Sequence, residues 1–107
     1  MTAMGMGNMN KLLKQAQKMQ AEMARVQEEV AARTVEASAG GGAVTVTVNG
    51  RPEVVAVKID PAAVDPDDLE MLQDLIAAAT NEALRKATAM LTEAMSRFTG
   101  GLGLPGF

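Results

Sequence analysis

Four cations keep the beat of a single helix. Lys11, Lys18 and Arg25 are spaced by seven residues, Lys14 lies between the first two, and no acidic residue occurs before Glu22. Neutral donors (Asn8, Asn10, Gln15 and Gln17) lie among them. Lys and Arg on a helix can hold phosphates, and such contacts position a protein on DNA while reading little of its sequence. The plain alternative is a solvated helix face, which is ordinary. Two features weigh against it. A solubilising face mixes signs, and the first turns here carry only positive charge. Cations near a helix N-terminus also oppose the macrodipole, at a cost on the order of a few tenths of a kcal/mol per residue. Arg85, Lys86 and Arg97 form a second, weaker set. The adjacent Arg85 and Lys86 point in different directions on a helix.

The rest of the chemistry narrows the ligand. Phe98 and Phe107 are the only aromatic residues, so base stacking cannot supply the affinity and duplex DNA fits better than single strands. A dimer would double the four cations of the stripe to eight. The slope of log K against log salt would then be at most about −7 in magnitude. Net charge is −3, but it is unevenly spread. Residues 1–33 hold five Lys or Arg against three Glu, residues 34–79 two against eight acids, and residues 80–107 three against two. Basic ends flank an acidic middle, and local patches steer a ligand more than net charge does.

Catalysis has little to work with. His and Cys are both absent, which removes the usual general base, the best nucleophile and any disulfide. Ser occurs only at Ser38 and Ser96, in no nucleophile-elbow context. Asp60, Asp65, Asp67, Asp68 and Glu70 could hold a cation. A charged helix start explains them with dipole complementarity alone, and their spacing is not that of a calcium loop. Gly40 to Gly42 lack the Gly-Lys-Ser/Thr of a phosphate loop, and no strand precedes Gly5-Met6-Gly7. No catalytic, cofactor or metal site is expected.

The elements that must carry the stripe can be read from periodicity. Met9, Leu12, Ala16, Met19, Met23, Val26 and Val30 follow steps of three and four, a heptad seam that asks for a helical partner. The cations take its outward c and f positions. The pattern predicts a helix over residues 8–33 with Asn8 as N-cap, after a flexible lead-in at 1–7. Such a helix is about 39 Å long, whereas a compact domain of this size has a radius of gyration of only about 13 Å. It should overrun its own globule. Residues 34–59 switch to period two: Val35, Ala37 and Ala39, a glycine turn, Val44, Val46 and Val48, then a hairpin at Asn49-Gly50 and a return strand from Glu53. That strand is expected to place Val55, Val57 and Ile59 on one face and Val54 and Ala56 on the other. Asp65 as N-cap and Pro66 open a second long helix over 66–98, followed by a flexible tail at 99–107.

The expected fold is therefore α+β, ordered α-β-β-β-α, with a three-stranded antiparallel meander between two long helices in a single domain over 1–107. Its core must be built from Val, Ala, Leu, Ile and nine Met. Such a core specifies shape weakly and would gain from burial in a dimer. No secretory signal or membrane-length apolar run is visible, so a cytoplasmic protein without membrane contact is expected.

In the order and spacing of its segments the chain resembles the YbaB/EbfC family of small bacterial nucleoid-associated proteins. The likeness rests on NMNKLLKQAQKMQAEM, the glycine turn before a Val-rich strand, the NGRPEVVAVKID hairpin, DPDDLEMLQDLIAAATNEALRKA and the TGGLGLPGF tail. It implies a homodimer in which strands of two subunits associate and helices project as arms. It implies duplex DNA binding with weak sequence preference, in nucleoid organisation or gene regulation. By the same resemblance the binding surface comprises Lys11, Lys14, Gln15 and Lys18 at one end and Arg85, Lys86 and Arg97 at the other. Family genes often neighbour those of replication and recombination proteins. The alternative this raises is a dimeric scaffold for such proteins, with little DNA binding.

Overall fold

Alternating Val and Thr across residues 44–48 build the centre of the structure, because β-branched side chains pack well on a pleated surface. The computed structural model describes residues 2–101, with side chains described from residue 8 to residue 97. The order is α1 (Thr2–Ala32), β1 (Thr34–Ala39), β2 (Val44–Asn49), β3 (Val54–Ile59), a 3-10 turn (Pro61–Ala63) and α2 (Leu69–Gly101). The strands form one antiparallel sheet in the order β1-β2-β3. This is the α-β-β-β-α architecture expected from the sequence.

Two joints set the sheet's geometry. Gly40, Gly41 and Gly42 all have positive φ, at 66°, 66° and 94°, a backbone that side chains beyond Gly rarely tolerate. They reverse the chain so that Ala39 faces Val44. The β2–β3 connection is wider than a two-residue hairpin. Asn49 Oδ1 accepts the backbone N–H groups of Arg51 (2.9 Å) and Glu53 (3.1 Å), and Gly50 N–H turns away to the Arg33 carbonyl at 3.1 Å.

A β-bulge between Thr47 and Val48 changes the expected facing of β3. Ile59 pairs with Val44, Val57 with Val46, and Val54 with Val48. Val54 therefore joins Val57 and Ile59 on the side of the buried valines, and Val55 is the unpaired extra residue. Simple alternation across residues 53–59 misses this slip.

The core lies between α2 and the first two strands. Val44, Val46 and Val48 are fully buried against Ala79, Ala83 and Ala87, with Leu72, Leu75 and Ile76 packed around them. The four-residue alanine spacing brings the helix axis close to the valines. Each buried valine stabilises the fold by roughly 1.5–3 kcal/mol. β3 has no such cover: every residue from Val54 to Ile59 is exposed.

The helix bounds differ from expectation at three ends. α1 begins at Thr2, so Asn8 is interior and Lys11 sits in the third turn. The macrodipole penalty, confined to the first turn, does not fall on it. α2 begins at Leu69, because Asp68 Oδ1 accepts the Met71 N–H at 3.2 Å. Asp65 instead holds a local turn through the Asp67 N–H at 2.9 Å. α2 runs to Gly101, past the expected end near 98. The expected tail beyond it, residues 102–107, lies outside the described residues.

Candidate nucleic-acid interface

α1 stands off the body as an arm. The whole measures 80 × 25 × 16 Å, with a radius of gyration of 21.6 Å, well above the roughly 13 Å of a compact domain. Only the C-terminal part of α1 is anchored. Val30 is buried, and Met23 and Val26 are half-buried. Gly50 packs so tightly beneath it that an added Cβ would lie 2.0 Å from the Val30 carbonyl oxygen. α2 leaves the sheet after Ala87 and runs along α1, which buries Ala94 beyond the sheet core. Toward the N-terminus the cover is lost: every residue from Asn8 to Glu22 is exposed.

Lys11, Lys14 and Lys18 lie on this bare stretch, on successive turns, with Gln15 between them. Lys11 and Lys14 make no ion pair with any described residue. Lys18 lies one turn from Glu22 and helps to hold that carboxyl below its usual range. Their charge is presented to solvent on the stretch of α1 in which every residue is exposed.

Arg25 shares the stripe's spacing but not its availability. Its guanidinium donates to Glu29 at 2.6 Å and to Glu22 at 2.9 Å. The hydrogen bond from Arg25 is the main cause that lowers Glu22, and the Glu22 carboxylate in turn raises Arg25. The geometry separates Arg25 from the three lysines as a clamped, locally neutralised charge. The heptad beat of the cations does not show this, but the carboxylates at i−3 and i+4 are a readable signal.

The second set is divided as well. Arg85 donates to Glu82 at 2.7 and 3.2 Å, and that bond lowers the Glu82 carboxyl. Lys86 Nζ donates to the Glu36 carbonyl of β1 at 2.9 Å, which ties it to the sheet. Arg97 is exposed, six residues beyond Leu91, which lines one open groove together with Ala24 and Ala31 of α1. α2 thus carries Arg97 up the arm toward the lysines and leaves Arg85 and Lys86 beside the body.

Three of the eight acids in the middle are occupied with nearby backbone. Asp60, Asp65 and Asp68 accept the N–H groups of Ala62, Asp67 and Met71. Among the described residues no three acidic groups gather as a metal site, and no helix is long and apolar enough to cross a membrane.

A short antiparallel sheet with one face half-covered by a helix, and a basic helical arm projecting from it, defines a class of α+β protein with an exposed cationic limb. The chain belongs to the YbaB/EbfC DNA-binding family, which it matches over residues 6–102. It is 67% identical over 104 residues to a nucleoid-associated protein of Moorella thermoacetica, covering 97% of this chain and all of that one. A nucleoid-associated protein of Acetivibrio thermocellus is 64% identical over 101 residues, covering 94% and 89% of the two chains. The fold is also that of an uncharacterised Helicobacter pylori protein of known crystal structure. The TM-score is 0.65 at 23% identity, over 85% of this chain and 91% of that one.

Proposed function

We propose that the protein binds duplex DNA as a homodimer at the bacterial nucleoid, gripping phosphates with the basic edge of each α1 arm. The observation that carries this reading is the run of Lys11, Lys14 and Lys18 on consecutive exposed turns of a helix that stands clear of the body. Gln15 of the same arm and Arg97 of the accompanying α2 are auxiliary contacts. Arg25, Arg85 and Lys86 serve the protein's own structure first. Phosphate contact of this kind gives weak sequence preference, which suits DNA organisation or broad regulation.

The uncovered strand supports the dimer. Val54, Val57 and Ile59 extend the valine face of the sheet, yet α2 lies over β1 and β2 and leaves them bare, with Val57 46% exposed. β3 is also an edge strand with a free hydrogen-bonding rim, a liability that proteins cover. A second copy meeting it across a two-fold axis would pair the rims and lay its own apolar surface over these residues.

The test replaces Lys11, Lys14 and Lys18 with Glu. Binding to labelled duplex DNA should be lost while the sedimenting mass stays that of the wild type. A variant that binds as the wild type does would overturn the site. A wild type that does not bind even at low salt would favour a protein-interaction scaffold for replication or recombination proteins.

A further inference from the structure

We infer that the bare half of the α1 seam is a second self-association surface, distinct from β3, through which the arms of two copies pair antiparallel. Met9 and Leu12 are 62% and 63% exposed and Met19 38%, with Ala16 between them on the same stripe. The same heptad seam is already used further along. Met23, Val26 and Val30 pass progressively into contact where α2 accompanies α1, and cover gives out toward Met19. The open stretch continues an interhelical packing surface, and its 3.5-residue period fits another helix.

The partner that fits is the same segment of another copy. In an antiparallel pairing centred at Lys14, Met9 faces Met19 and Leu12 faces Ala16, so that large meets small and large meets flexible. The pattern is its own complement, as a two-fold contact requires. The residues flanking the seam are Asn8, Leu13, Gln15 and Gln20, so no like charges meet across it. Lys11, Lys14 and Lys18 stay on the outward positions, free for phosphate. A strongly charged partner would find nothing to pair with along the seam.

So short a seam buries less than the roughly 1,000 Å² of a freestanding interface. The contact is therefore weak in dilute solution and forms when copies are held close, as on a shared duplex, where effective concentration is high. It makes arrayed copies bind cooperatively. This last step rests on the DNA-binding reading, whereas the seam contact itself does not.

The test compares wild type with the triple variant Met9→Gln, Leu12→Gln, Met19→Gln. All three side chains are exposed, so the variant should keep its fold, which circular dichroism verifies. In sedimentation without DNA, the wild type should show a further concentration-dependent association step that the variant lacks. On a duplex long enough for several copies the wild type should bind cooperatively and the variant should not. On a duplex that holds a single protein unit, half-saturation should be equal. A wild type that binds no DNA but shows the step keeps the seam and loses the function. A wild type without the step at any concentration, and without cooperativity, overturns the inference.

Discussion

The sheet body and the helical arm are built from the same limited set of residues and put them to opposite use. In the body, small side chains close space: Ala79, Ala83 and Ala87 let α2 settle onto Val44, Val46 and Val48 until all six are fully buried. In the arm, Met9, Leu12 and Met19 are larger and still exposed, and Lys11 and Lys14 beside them make no ion pair with any described residue. The body derives its stability from within the chain. The arm is anchored at its base, where Val30 is buried, and its outer half is exposed. The anchored end and the exposed end thus lie on one helix, with Gly50 packed against the anchored end at Val30.

The largest expected effect is at that contact. Gly50→Ala would force a Cβ to within 2.0 Å of the Val30 carbonyl oxygen, and backbone cannot yield as a side-chain tip can. A loss of about 3 kcal/mol or more is expected, read as a lowered denaturation midpoint. A variant as stable as wild type would show that the arm is not locked there. Ala83→Leu should cost about 1–3 kcal/mol by overpacking α2 against the sheet. Its folded fraction should bind DNA normally, since body and arm divide the work.

Two smaller effects sharpen the division within the arm. Lys14→Gln should reduce the salt dependence of DNA binding by about two units of log–log slope per dimer, one for each arm. Arg25→Gln should leave the slope nearly unchanged, because Glu22 and Glu29 already neutralise Arg25. Equal effects would mean that DNA displaces the carboxylates. The pH dependence of stability should be smaller still. Glu22 and Glu82 are held below the ordinary carboxylate range by Arg25 and Arg85. Their contribution is therefore present above the unfolded carboxylate pKa and lost as pH falls through the lowered folded values. With no His in the chain, thermal midpoints should stay flat through neutrality and decline only in acid.

Much of this was legible in the chain because periodicity reports burial directly. The α2 period runs Leu69, Leu72, Ile76, Ala79, Ala83, Ala87, Met90, Ala94 and Phe98. The structure packs it from Leu72 to Ala94 but leaves Leu69 exposed, and the Phe98 side chain lies outside the described residues. The strands fall where the alternation starts and stops. What escaped depends on contacts that a period does not encode. Gly5 and Gly7 lower helix propensity locally, yet the helix runs through them to Thr2. The bulge beside Val48 moves Val54 to the other face, a choice made by pairing with β2. In the candidate site, spacing put Arg25 on the same edge as the lysines and gave it equal rank, although Glu22 and Glu29 pair with it. It also could not foresee that Lys86 reaches across fifty residues to the carbonyl of Glu36.

The central claim is that three lysines on each of two arms meet DNA phosphates. The direct measurement is the affinity of the intact protein for a short duplex across a salt series. Six contacts predict a slope of log K against log salt near −5. A salt-insensitive affinity, or no binding at the lowest salt, would contradict the account.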